Sequence, residues 1–201
     1  MSTNPADILQ IKLRDFVRRA PKIAGRYAVQ QFQDNIRRRG GVPVDGSLDK
    51  FQERRYETQK QRGKKILMIT GNLVDSIRII STGANSVIVG ISQGDIAKYA
   101  RIHLMGGKIT VTPKMKKFFW AMYFNSAGKV KTTEKGAVRK TKANEQLTGD
   151  ASFWRKMALK RVGSQITIPK REFMRFTPDI EKGILREFHF EIDKIIQDFK
   201  R

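Results

Sequence analysis

Cysteine is absent from the 201 residues, which excludes a disulfide framework, a thiolate metal site and a cysteine nucleophile, and fits a chain that works in a reducing compartment. Histidine occurs only twice, as His103 and His189, so side chains suited to proton transfer at neutral pH are few. Acids are sparse as well: 19 Asp and Glu stand against 41 Lys and Arg, and five of the acids fall between residues 63 and 160. A metal-dependent nuclease needs carboxylates gathered in space, and this stretch supplies few. Long apolar runs are missing too. The longest, Phe118 to Phe124, has seven residues, far below the roughly 20 that a helix needs to cross a bilayer. Met1 to Asp7 is polar and lacks the basic start and apolar centre of a secretory signal. A soluble, non-membrane protein is expected.

What is present is a globular balance of 39% hydrophobic and 30% charged residues, too apolar for wholesale disorder. The length suits one domain over residues 1–201 with extensions. A net charge of +22 surrounds it with a strong positive field, so an anionic partner is the first expectation. The surplus is uneven: residues 1–62 carry 14 basic and 7 acidic groups, residues 63–160 carry 18 and 5, and residues 161–201 carry 9 and 7.

Pro5 suits the first turn of a helix, and Leu9, Leu13, Phe16, Ala20, Ile23 and Tyr27 follow at steps of four and three, predicting an amphipathic N-terminal helix over residues 1–39. Pro21 removes a backbone donor and predicts a kink or break near Arg19 to Pro21, with Phe32 and Ile36 resuming the stripe. Arg37, Arg38 and Arg39 meet the negative end of that helix. Residues 40–65, broken by glycine and proline and anchored by Leu48, Phe51 and Tyr56, read as a polar connector. Ile77 and Ile79, then Val87, Val89 and Ile91, alternate around Gly83-Ala84-Asn85, which predicts a hairpin over residues 76–91.

Asp95 to Leu104 has helical spacing stopped by Gly106-Gly107, and Ile109 with Val111 predicts a third strand. Met115 to Phe124 fits helix or strand equally. Asn125 to Gly149 has no aromatic residue and much Lys, Thr, Gly and Ala, and reads as a mobile basic arm. A helix over Ser152 to Val162, a strand over Gln165 to Ile168 and a long C-terminal helix after Thr177-Pro178-Asp179 complete the chain. The expected core is residues 66–124 and 150–201. The order predicts an α+β fold in which a small, mostly antiparallel sheet packs against long N- and C-terminal helices.

His103 as a general base would need a positioned partner such as Asp75 or Asp95, and a structural histidine is the plainer reading. His189 lies between Phe188 and Phe190, where packing or exposure suffices. Glu187 and Glu191, one turn apart among Lys182 and Arg186, read as a solvated helix face. Gly106-Gly107-Lys108 matches neither the dinucleotide fingerprint nor a Walker loop. No catalytic residue, metal site or cofactor is expected. Lys114, Lys116 and Lys117 beside Phe118, Phe119 and Trp120 combine cations with stacking surfaces, as single-strand binders do, although so dense an aromatic run is commonly core. Lys129, Lys131, Lys135, Arg139, Lys140 and Lys142 would attract any polyanion.

Three stretches in order carry a resemblance. Thr70 to Ile77 reads TGNLVDSI, Tyr99 to Gly107 reads YARIHLMGG, and Ile168 to Phe173 reads IPKREF. The combination resembles the phage virion morphogenesis family, the tail-completion proteins of Mu-like phages, over most of the chain. Physically, the motif residues are scaffold: Thr70, Gly71, Leu73 and Ser76 shape a turn into the hairpin, Gly106 and Gly107 after His103 allow a tight reversal, and Pro169, Arg171 and Phe173 end a strand while burying one ring. The resemblance implies a non-enzymatic virion protein, made in the host cytoplasm and placed at the neck or tail. It would work in tail completion or head–tail joining as a hexameric ring, with itself, other neck and tail proteins and DNA passing through the ring as partners. The alternative reading of the residues is a basic nucleic-acid-binding protein that uses the Lys-rich middle.

Overall fold

The Asn4 side chain accepts a hydrogen bond from the Ala6 N–H at 3.1 Å with Pro5 next in line, a start that satisfies one of the helix's orphan donors. The helix it opens, α1 (Pro5–Asp34), runs unbroken through Pro21. The break expected at Arg19 to Pro21 is therefore not found. Proline in a helix interior costs roughly 3 kcal/mol, and apolar burial on both sides offsets it: Phe16 and Ile23 are buried, and so is Pro21 itself. In the computed structural model, which describes residues 4–54, 63–92 and 94–200, α1 ends in a π-helical turn, Asn35–Arg39, closed by Gly40 in the left-handed region at φ 66°.

The remaining elements are β1 (Gly41–Val44), β2 (Ser47–Lys50), α2 (Asn72–Asp75), β3 (Ile77–Thr82), β4 (Val87–Ile91), α3 (Asp95–Met105), β5 (Gly107–Thr110), α4 (Pro113–Ala127), α5 (Lys142–Ala158), β6 (Gln165–Ile168) and α6 (Pro178–Lys200). The class is α+β and the strands are antiparallel, but they form three separate two-stranded sheets, β1–β2, β3–β4 and β5–β6. The expected hairpin is present as β3–β4, with a bulge between Ile79 and Ser81. Helix α3, strands β5 and β6 and the C-terminal helix also stand where periodicity puts them.

Two segments differ from expectation. Inside the predicted connector, β1 and β2 form a hairpin whose turn residues Asp45 and Gly46 have φ of 49° and 79°. Positive φ at both positions is the backbone an Asp-Gly turn favours. Tyr56, named as an anchor of that connector, lies outside the described residues, whereas Phe51 is buried. Residues 125–149, expected as an arm, finish α4 and begin α5, which starts at Lys142 rather than at Ser152. The ambiguous aromatic run is helical: it is the body of α4.

The chain divides into two compact units, Met1–Phe51 with Lys65–Met105 and Arg171–Arg201, and Gln52–Lys64 with Gly106–Lys170. In the first, α1 and α6 lie against each other along Phe16, Ile23 and Ile195, and Phe16 meets Phe188 edge-to-face with centroids 5.7 Å apart. Lys12 with Asp198 and Arg19 with Glu191 span the same pair and fix it as antiparallel. A second cluster gathers Ile36, Val42, Leu67, Leu73, Val74, Ile77, Phe173 and Ile180. Gly25 sets how closely α1 approaches the β3–β4 hairpin, since a Cβ there would stand 2.6 Å from a Val87 methyl and 2.9 Å from Ile79.

The second unit has its own core of Phe119, Trp154 and Ala158, flanked by Met115, Met122, Phe153, Met157 and Ile166. Its helices begin with matched caps: Thr112 Oγ1 accepts from Met115 N–H and Thr141 Oγ1 from Asn144 N–H, each at 3.2 Å. No described helix is long and apolar enough to cross a membrane.

Candidate interaction surfaces

The three motifs separate into those that build the first unit's core and those that turn the chain in the second. Gly71 sits at φ 84° and opens α2, so that Leu73 and Val74 point into the core beside Phe173. Ser76 closes the same turn by donating its hydroxyl to Leu73 C=O at 2.7 Å. Thr70 is exposed. Gly106, Gly107 and Pro169 belong to the second unit, where Gly107 pairs with Ile168 in the β5–β6 ladder.

His103 and Arg171 are brought together. The Arg171 backbone N–H donates to His103 C=O at 2.6 Å, and its guanidinium lies 3.2 Å from His103 Nδ1. Arg171 is buried, and the Tyr99 ring packs against the imidazole with centroids 4.5 Å apart. Burial, and then the Arg171 charge, lower the His103 pKa to about 4. The imidazole is therefore neutral at physiological pH, with Nδ1 accepting from Arg171. Asp75 pairs with Arg37 and Asp95 with Lys98, so neither carboxylate partners His103 in an acid–base arrangement. Phe173, fully buried, accepts a bond on its carbonyl from Asn35 Nδ2 at 3.1 Å, and Asn35 Oδ1 in turn accepts from Arg39 at 3.0 Å. Arg37, Arg38 and Arg39 are all engaged inside the unit, with Asp75, Asp34 and Gln31 respectively.

Among the described residues no group of three His, Asp or Glu is placed to hold a metal ion. The concavity between Lys12, Asp15, Arg18 and Asp198 is shallow and lined mostly by charged side chains.

Exposed apolar side chains mark the first unit's surface. Ile11 and Val17 on α1 are 55% and 57% exposed, Phe190 on α6 is 56% exposed, and Ile80 and Ile88 stand on the outer face of β3–β4. The second unit also exposes Phe118, Phe124, Leu159 and Val162 by 53% to 65%, and adds a surplus of charge. Between Gly106 and Lys170 there are 15 basic and 3 acidic side chains. Lys114, Lys117, Lys129, Lys131, Lys135, Arg139, Lys140 and Lys142 are exposed, Lys116 is half-buried, and none of the nine is in an ion pair among the described residues.

The phage virion morphogenesis family model matches residues 28–189. The chain belongs to that family. The match begins just after Tyr27 and takes in all three motifs, the second unit, and the first unit from the end of α1 to about half of α6. Membership makes this a phage virion protein with a structural role. Neither the curated proteins nor the solved structures contain a significant match to it.

Sequence reasoning missed the residues that organise the Lys-rich segment. Asn144, buried in the first turn of α5, donates from Nδ2 to the carbonyls of Lys131 at 2.7 Å and Arg139 at 2.8 Å, and its Oδ1 accepts from Lys131 N–H at 3.0 Å. The available signal was Thr141 three residues before a polar amide, a capping pattern that starts α5 early.

Proposed function

We propose that this chain is a structural subunit that completes the phage tail or joins it to the head by assembling with copies of itself into a closed, hexameric ring. Family membership supports the virion role. The observation that carries the assembly is the β3–β4 hairpin: it has only two strands, among the described residues no third strand pairs with either edge, and its outer face exposes Ile80 and Ile88 by 47% and 59%. Open strand edges and exposed aliphatic residues are what monomeric proteins avoid and interfaces use. A ring requires head-to-tail contact, in which one patch meets a different patch on the next copy. Phe190 on α6, 56% exposed, supplies the second apolar patch.

The test is the mass of the purified protein by light scattering across concentration. The wild type should give one discrete ring-sized species, and Ile88→Glu or Phe190→Glu, each folded by circular dichroism, should stop at the monomer. Mixing the two variants leaves one intact pair of patches, so the mixture should pair and go no further. A wild type that stays monomeric at every concentration defeats the self-assembly reading.

A further inference from the structure

We infer that the inserted unit, Gly106–Lys170, is a duplex-DNA contact module that grips phosphates through the turn between α4 and α5. This goes beyond ring assembly and does not depend on it. Four observations carry it.

The first is segregation of charge. The first unit ties several of its cations into ion pairs, including Lys12–Asp198, Arg19–Glu191 and Arg175–Asp49. Lys131, Lys135, Lys140 and Lys142 are exposed and lie in none of them. Cations that a fold leaves without counter-charges meet solvent ions, and a polyanion that displaces those ions gains their release entropy.

The second is rigidity where composition suggests none. Thr132 and Val138 form an antiparallel bridge, Gly136 turns the chain at φ 77°, and Thr133 N–H donates to Ala137 C=O at 2.7 Å. Asn144 clamps both ends of this loop to α5 through the carbonyls of Lys131 and Arg139. Arg139 Nε also donates to Thr132 C=O at 3.0 Å. The lysines thus project from a fixed backbone, which reduces the ordering cost of binding.

The third distinguishes duplex from single strand. Base stacking needs free aromatic faces. Here Phe119 stacks on Trp154 with centroids 6.0 Å apart, Trp120 stacks on Phe124 at 5.9 Å, and Phe118 meets Trp154 edge-on at 5.8 Å. Phe119 and Trp154 are thereby buried, while Phe118 and Phe124 stay 54% and 65% exposed; these two rings are a small stacking surface beside the field of lysines, so phosphate contact is the principal mode of binding.

The fourth distinguishes DNA from other polyanions: the chain belongs to a phage virion family, and the abundant polyanion of a virion is its genome.

The experiment uses the full chain and a short fluorescent duplex of arbitrary sequence, followed by anisotropy over a salt series. The test variant combines Lys131→Gln, Lys135→Gln, Lys140→Gln and Lys142→Gln, which spares Arg139 and Asn144. The control combines Arg14→Gln, Arg18→Gln, Lys22→Gln and Arg26→Gln on α1, removing the same net charge from exposed positions of the other unit. The wild type should bind with affinity that falls steeply with salt. The test variant should bind at least about tenfold more weakly, with a log–log salt slope shallower by about three, and the control should stay within about twofold of wild type. A variant with the same four lysines changed to arginine should keep wild-type binding, which separates lost charge from lost folding. The inference is overturned if the wild type ignores DNA, if the control loses as much as the test variant, or if polyglutamate displaces the protein as well as unlabelled duplex does, since the partner would then be an acidic protein. Light scattering on the test variant keeps the two proposals apart, because it should still form the same assembly as wild type.

Discussion

The guanidinium of Arg171 stands 3.2 Å from Nδ1 of His103, and the two residues are also tied backbone to backbone at 2.6 Å. This pair joins the second and third sequence motifs and makes the imidazole an acceptor. Protonating it would place a second cation beside a buried one. Burial and the Arg171 charge hold the His103 pKa at about 4 against 6.5 for the free side chain.

The pH dependence follows by linkage. Between about pH 6.5 and 4 the unfolded chain binds a proton at His103 that the folded chain does not, so stability falls as pH falls through that window and levels off below it. Because the ring is partly solvated, the effect is discounted to about 1–2 kcal/mol. His103→Asn keeps an acceptor near the Nδ1 position and removes the titration. Urea denaturation at several pH values should show wild type losing that amount relative to the variant between neutral pH and pH 4. Parallel curves would contradict the pairing.

Helix α6 packs closely on α1 at Gly183 and Tyr27. A Cβ at Gly183 would land on the Tyr27 phenol ring and hydroxyl, so Gly183→Ala forces one helix away from the other and should cost about 2–4 kcal/mol in chemical denaturation. Tyr27→Ala in the same chain removes the obstacle. The double variant should be more stable than the sum of the two single losses predicts, with a coupling of about 1–3 kcal/mol.

Periodicity made the long elements legible. The stripe from Leu9 to Tyr27 marked α1, that from Ile180 to Phe199 marked α6, and alternation around Gly83 marked β3–β4. These patterns report one-sided burial, which is what fixes such elements. What stayed hidden depends on partners distant in sequence. Pro21 does not break α1 because Phe16 and Ile23 are held by Ile195 and its neighbours, and no local pattern shows that. The Asp45-Gly46 hairpin was readable from turn chemistry, but its strands are short and one contains Pro43. At the candidate surfaces, the lysines could be named from sequence while their setting could not. A Lys-, Thr- and Gly-rich stretch looks mobile until Asn144 is seen bonded to carbonyls on both sides of the turn.

That clamp gives a local prediction. Asn144→Ala removes the donors of two carbonyl bonds and the acceptor for Lys131 N–H, a loss of about 1–3 kcal/mol felt by the turn itself. Trypsin should then cut between Lys129 and Lys142 about five- to a hundredfold faster than in wild type, following the opening equilibrium, while cleavage at the basic residues of α1 keeps its wild-type rate. Equal rates in the turn for both proteins would show that the clamp holds nothing.

The adjacent glycines of the second motif should behave differently from each other. Gly106 adopts φ 69°, and a Cβ there would come within 3.3 Å of both the backbone N and the Cβ of Lys170, so a side chain is opposed by its own backbone and by its neighbour. Gly107 begins β5 outside the left-handed region, pairing with Ile168 in an ordinary antiparallel register. Gly106→Ala should therefore lower stability by about 1–3 kcal/mol, whereas Gly107→Ala should change it by less than about 1 kcal/mol, because alanine takes strand geometry without strain. Thermal unfolding of the two variants side by side decides between this reading and one in which the pair acts as a single flexible hinge. A hinge would make the two substitutions equally costly, while a fixed left-handed reversal followed by a strand makes only the first matter.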